Sequence, residues 1–425
     1  MKGDDGRMDD GQHSIPSSLV GDGVAVPCVD GQERRYLNLD SAASANALPA
    51  VARRVEEFLP WYSSVHRGAG YKSRQATNAY EEARLAALRF AGRLPPSGST
   101  VGDDIAVIVR NTTEAINHLA YRLPLAPDDV VVTTVVEHHA MLLPWGRRAR
   151  RRFVECGPEG TFSPDDVVAA LDASPRPKLL AITGASNVTG WLPPLDAILA
   201  AAREREIPVV VDAAQLAPHR PLPPAADYIA WSAHKMYAPF GAGVLIGPRA
   251  TFAEGDPFLA GGGAVDLVDL DEVSWTDPPE REEAGSPNVI GAVALDTAFA
   301  EFDRLGWKTI TEHDDALVGP LRSGLAAIPG VRLLELSPQE VAEYRAAVLR
   351  HDRREMPGAV RASAGLSTSP ADIGRFLDAV AEIAGGKPAP VGYVQDPSTG
   401  DFWPEGSAPG WTTDDRSLGA SCARG

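Results

Sequence analysis

Short apolar runs without polar alternation recur through the middle of the chain, separated by amphipathic stretches. The runs at residues 105–109, 130–134, 179–183, 208–212, 228–231 and 243–246 predict strands. Their unbroken apolar character suits strands buried on both faces. Helical periodicity predicts helices over 113–122, 164–172 and 194–206 between them, and Ser163 before Pro164 supplies an N-cap and first-turn pair. Alternation of this kind predicts an α/β fold, a mostly parallel sheet with helices on both faces. Ligands bind such sheets at the carboxyl ends of the strands. After Gly285 the pattern turns helical, with helices predicted over 289–305 and 307–328 and a further one over 370–383 capped by Ser369.

The ends of the chain read differently. Residues 1–31 are acidic and glycine-rich, without the basic and apolar regions of a signal peptide, and predict a flexible leader. Residues 385–425 are rich in Pro, Gly, Ser and Asp with few aliphatics and predict a flexible tail. The body between them divides into a large domain over 32–300, with an N-terminal substrate-side segment, and a small C-terminal domain over 301–384. No apolar run reaches the length of a membrane span. A formal charge of −17 argues against nucleic acid or an anionic membrane as partner. Cys28, Cys156 and Cys422 are scattered, so neither a disulfide framework nor a metal site emerges, and a reducing cytoplasm is expected.

The candidate chemistry gathers at predicted strand ends. Asp212 ends one strand, and the next is followed by Ser232-Ala233-His234-Lys235. That spacing suits an enzyme that holds pyridoxal phosphate (PLP) on a lysine. The aspartate keeps the pyridine nitrogen protonated, the lysine forms the Schiff base, and Ser232 and His234 hold phosphate. Arg110-Asn111-Thr112-Thr113-Glu114 opens a helix, whose free amides suit a phosphate and equally suit a plain capping box. His138 in Glu137-His138-His139 could stack on a ring or move a proton, and a histidine pair could also bind metal, though no third ligand stands at helical spacing. Asn187 in Ser186-Asn187-Val188-Thr189-Gly190 could reach the cofactor's phenolic oxygen, or the segment could be only a turn. Asp212-Ala213-Ala214-Gln215 brings an acid and an amide to one side of such a ring.

Taken in order, these segments resemble the class V aminotransferase family of fold-type I PLP enzymes, which contains cysteine desulfurases and selenocysteine lyases. Further matching segments are Leu39-Asp40-Ser41-Ala42-Ala43, Val65-His66-Arg67-Gly68, Gly261-Gly262-Gly263 and Glu283-Ala284-Gly285-Ser286-Pro287-Asn288. The resemblance runs over residues 36–300, with a shorter match near 360–383. It implies a fold-type I PLP transferase fold, with a mostly parallel seven-stranded sheet in a PLP-binding large domain and a small α/β domain. It also implies Lys235 as the Schiff-base lysine, Asp212 as partner of the pyridine nitrogen and His138 stacked on the ring. Asn187 and Gln215 would contact the phenolic oxygen, and Thr112, Thr113, Ser232 and His234 the phosphate. Ser286, where the family commonly has threonine, would reach the phosphate of a neighbouring subunit, so a homodimer with shared sites is expected. Arg361 would pair with the substrate carboxylate, with His66 and Arg67 on the same substrate side.

The family's desulfurases carry a reactive cysteine shortly before the Arg-Ala-Ser segment, and this chain has no cysteine between Cys156 and Cys422. The interval 334–357 is short, charged and largely helical in pattern, where the family places strands and that loop, so the small domain reads as abbreviated. A persulfide-forming desulfurase needs a thiolate to receive sulfur. The expected activity is therefore a lyase acting on an amino acid through an external aldimine and a Cα carbanion, with β-elimination across a C–S bond. An aminotransferase, an epimerase and a decarboxylating deaminase remain open on the same cofactor, as does a scaffold subunit without one.

Overall fold

The computed structural model of the chain describes residues 14–94, 103–333, 338–352, 354, 359–396 and 399–406. Two compact units emerge. One takes residues up to 22, 38–320 and 361–373; the other takes 23–37, 321–360 and those from 374 on.

The first unit is organised by a seven-stranded mixed sheet. Its strands are β1 (Asp104–Val109), β2 (Val130–Thr134), β3 (Arg150–Val154), β4 (Leu179–Thr183), β5 (Val209–Asp212), β6 (Tyr228–Ser232) and β7 (Gly243–Pro248). The order across the sheet is β1-β7-β6-β5-β4-β2-β3. Pairings among β3, β2, β4, β5 and β6 are parallel, and β7 runs antiparallel to both of its neighbours. Successive residues of one strand feed opposite faces. Val132, Leu180, Ile182, Val209 and Val211 join one apolar cluster, and Val131, Leu179, Ala181 and Val210 join another. Both faces are therefore covered, which is why these strands read as unbroken apolar runs. Each fully buried Val, Ile or Leu contributes roughly 1.5–3 kcal/mol of transfer free energy.

The predicted helices form as Thr112–Arg122, Pro164–Asp172, Leu195–Glu204, Val289–Leu305, Trp307–Ala327 and Pro370–Ala384. Ser163 accepts from Asp166 N while the Asp166 side chain accepts from Ser163 N, a reciprocal cap that fixes the start of Pro164–Asp172. Two helices that the pattern did not predict, Pro49–Phe58 and Tyr71–Phe90, pack on the helix Val289–Leu305. The second of these buries mainly small residues, Ala76, Ala83 and Ala87, around Tyr80. That face gives little apolar signal.

In the second unit the helix Pro338–Leu349 occupies most of the interval read above as helical in pattern; residues 334–337, 353 and 355–358 lie outside the described residues. One short hairpin joins the end of the segment read above as leader to the residues just after it, and another stands in the segment read as tail. Ala25–Pro27 pairs with Glu33–Arg35, and Tyr393–Gln395 pairs with Phe402–Pro404. Cys422 lies outside the described residues.

Candidate active site

The carboxyl ends of β5 and β6 set the chemistry. Asp212 is the last residue of β5, 4% exposed, and Ala214 N donates to its Oδ1 at 2.9 Å. Burial pushes the Asp212 carboxyl up to about 6, against the Ala214 N–H and the Lys235 charge, which both pull it down. In register with Asp212, Ala230 of β6 leads through Ser232 into a tight 3-10 turn, Ala233–Lys235. Burial holds the Lys235 ammonium below its ordinary range, while Asp212 and Asp40 raise it and Arg361 lowers it further. A buried acid and a destabilised ammonium on neighbouring strand ends suit proton and charge transfer.

Beside them, the helix Thr112–Arg122 opens with the Asn111 side chain accepting from Glu114 N at 3.0 Å. Thr112 donates its N–H to Ser232 Oγ at 2.8 Å, and the two hydroxyls lie 2.7 Å apart, both residues buried. Gly243 makes this junction possible, because a Cβ there would stand 2.8 Å from both Asn111 Cα and Trp231 O. Thr113 is exposed at the same helix end. His234 Nδ1 lies 3.3 Å from Ser44 Oγ, and partial burial lowers its pKa.

His138 caps the short helix His139–Leu142, and its Nδ1 accepts from Ala140 N at 3.1 Å. An accepting Nδ1 puts the proton of the neutral ring on Nε2. Partial desolvation, then the Lys235 charge, hold His138 below its usual pKa. Gln215 Nε2 donates to Ala42 O at 2.8 Å. Asn187 engages Arg361 through its backbone carbonyl, which accepts from Nη1 at 2.7 Å, while Arg361 Nη2 pairs with Asp40 Oδ1 at 2.8 Å.

The other expected residues stand in a separate network. His66 Nε2 lies 2.7 Å from Glu81 Oε1, and Arg67 donates to the carbonyls of Gly262 and Gly285, clamping the glycine loop to the segment before Ser286. Ser286 is exposed. His66, Glu81 and Glu280 bring one potential ligand atom each within 4.8 Å of one another, but Arg84 donates to both carboxylates and already occupies them.

Glu137 precedes His138 and has no role among the sequence expectations. It is buried, its Oε1 accepts from Thr134 Oγ1 at 2.8 Å and Thr183 N at 2.9 Å, and its Oε2 has no partner. Burial, helped by Asp212, pushes its carboxyl up to about 8, so it is a neutral acid at neutral pH. Only its position beside Thr183, which pairs with Asp212 across the sheet, brings it to the site. No spacing along the chain announces that.

Against this geometry, the Aminotransferase class-V family model matches residues 37–351. A probable cysteine desulfurase 2 from Mycobacterium leprae (strain TN) is 34% identical over 321 residues, covering 72% of this chain and 73% of that protein. A cysteine desulfurase from Klebsiella pneumoniae (strain 342) is 36% identical over 318 residues, 72% of this chain and 76% of its own. The apo structure of a cysteine desulfurase from Thermococcus onnurineus NA1 superposes with a TM-score of 0.70 at 28% identity, covering 82% of this chain and 94% of that one. Among the described residues, no helix is long and apolar enough to cross a membrane. Arg361 lies beyond the family match, although the fold brings it against Asp40 at the start of that match. The chain belongs to the class V aminotransferase family.

Proposed function

We propose that the protein is a PLP enzyme acting on an amino acid, with Lys235 as the attachment point, and that it eliminates across a C–S bond without a persulfide cysteine. The observation that carries the reading is the buried Asp212 carboxyl, raised to about 6, on the strand end next to the turn holding Lys235. Among the described residues the hydrogen bond to the Asp212 carboxylate comes from the Ala214 N–H, so a cationic ring nitrogen is the partner its burial calls for. The Thr112–Ser232 junction at a helix N-terminus suits a phosphate. The donor set thus fits the group.

When bound, PLP supplies an electron sink for charge at the substrate Cα. The chain supplies the rest. Lys235, with its ammonium destabilised by burial, exchanges a proton with the substrate Cα. Asp212 holds the positive charge of the ring nitrogen in place, and Thr112, Thr113, Ser232 and His234 bind phosphate. The His138 ring covers one face, and Asn187 and Gln215 set the oxygen side. Arg361 binds the substrate carboxylate, with His66 and Arg67 on the same side. Ser286, exposed beyond the Arg67 clamp, suits a phosphate contact across a homodimer, and we place the enzyme in the cytoplasm.

The relatives named as cysteine desulfurases support cysteine or an S-substituted cysteine as substrate. The absence of any cysteine between Cys156 and Cys422 favours elimination over transfer of sulfur to the protein. Incubation of PLP-loaded protein with L-cysteine and S-substituted cysteines decides between the outcomes. Thiol or sulfide released with pyruvate and ammonia supports elimination. Alanine together with a protein persulfide lost on replacing Cys156 or Cys422 would establish a desulfurase instead, and exchange that requires a keto acid would establish transamination.

A further inference from the structure

The segment Leu39-Asp40-Ser41-Ala42-Ala43 and the two residues after it make three contacts with two residues of the site. Ala42 O accepts from Gln215 Nε2 at 2.8 Å, Ser44 Oγ meets His234 Nδ1 at 3.3 Å, and Ala45 N donates to His234 O at 2.9 Å. The same segment is stitched to residues 361–363. Asp40 and Ser363 form a parallel bridge, Ser363 N donates to Leu39 O at 2.7 Å, and Ala42 N donates to Ser363 Oγ at 2.9 Å. The backbone therefore fixes Asp40 beside Arg361. Both outer nitrogens of that guanidinium are engaged, Nη2 by Asp40 Oδ1 at 2.8 Å and Nη1 by Asn187 O at 2.7 Å.

We propose that Asp40 is a specificity-determining residue, an internal carboxylate that occupies Arg361 until the carboxylate of a ligand displaces it. The proposal rests on the reading of Arg361 as the substrate-carboxylate residue. A ligand carboxylate bound fork to fork needs two parallel N–H donors, so it competes with Asp40 for the guanidinium. Displacement is feasible because the pair is not sealed, with side chains 34% and 59% exposed. A pair so open to solvent is worth a factor of about five in affinity at most.

The exchange also conserves charge around Lys235. That ammonium is raised by Asp40 and lowered by Arg361. With Asp40 in place the guanidinium is already neutralised before a ligand arrives, and an incoming carboxylate takes over the same duty. An amine without a carboxylate leaves the Asp40–Arg361 pair intact. Asp40 therefore acts on the ratio between the two ligand classes.

The test compares wild type with the isosteric Asp40→Asn in the PLP-loaded protein, titrating the visible absorption with L-alanine and with ethylamine. Asp40→Asn is expected to tighten L-alanine about threefold to fivefold and to leave ethylamine unchanged, with an unaltered melting temperature. Unchanged or weaker binding of L-alanine overturns the proposal, since Asp40 would then orient the fork or play no part. Arg361→Met is expected to abolish the preference for the carboxylate in both backgrounds. If it does not, the reading of Arg361 fails. Wild-type protein that takes up no PLP overturns the functional reading and this proposal together.

Discussion

Asp212 and Glu283 are both buried carboxylates of the same unit, and they differ in how completely they are partnered. Glu283 Oε1 accepts from Ile108 N at 2.6 Å, and its Oε2 accepts from Tyr80 Oη at 2.7 Å and Arg84 Nη2 at 2.5 Å. Arg84 in turn reaches Glu81 and Glu280, and both carboxyl oxygens of Glu283 are engaged. Asp212 has the Ala214 N–H and a lysine acting at a distance, and its neighbour Glu137 keeps one oxygen orphaned. A satisfied buried carboxylate holds elements together; an unsatisfied one is a site waiting for charge. The difference teaches that burial alone marks neither structure nor chemistry, and that the partners of each buried carboxylate must be read with it.

Breaking the open side has the largest effect. Asp212→Asn keeps the shape and removes the charge, and PLP-dependent turnover is expected to fall on the order of a thousandfold, about 4 kcal/mol in the barrier. The apoprotein of that variant should melt no lower than wild type. Steady-state kinetics beside thermal denaturation reads both.

Breaking the closed side shifts the loss from activity to stability. Glu283→Gln weakens the hydrogen bonds to Arg84 and Tyr80 while Arg84 keeps Glu81 and Glu280, and is expected to cost about 2 kcal/mol of folding free energy. Urea denaturation measures it. The visible absorption of whatever protein remains folded with PLP should be unchanged.

The last expected effect is a pH dependence at Glu137. Its carboxyl is raised to about 8 from an ordinary 4.5, so the folded chain keeps a proton that the unfolded chain has lost across that window. Stability contributed by this group is full below the ordinary value, falls as pH rises, and is lost once pH passes the folded value. Glu137→Gln cannot titrate. Its apoprotein should therefore gain on wild type between pH 5 and 8, by about 5 °C in melting temperature, and the gap should stay constant above pH 8.

The sheet, and the placing of Asp212 and Lys235 at neighbouring strand ends, were legible because they rest on local signals. The strands Val130–Thr134 and Leu179–Thr183 form at their predicted limits, since both faces are buried and the apolar run ends where burial ends. The strand Arg150–Val154 was not predicted as such. It lies at the sheet edge with four of its five residues not fully buried, and its three arginines hide the pattern. The closed cluster was equally invisible. Tyr80 and Arg84 meet Glu283 across separations of 203 and 199 residues, a pairing that depends on how helices pack and leaves no periodicity. Asp40 was legible as part of a motif and not as a contact, because the bridge to Ser363 joins residues 321 to 324 positions apart.

The central claim is that Lys235 is the residue that carries the cofactor beside Asp212. Incubating the apoprotein with PLP, reducing with borohydride and mapping the modified peptide tests it directly. The account predicts stable incorporation on the peptide containing Lys235, lost in Lys235→Ala. Incorporation on another lysine, or none at all in folded wild-type protein, would contradict it.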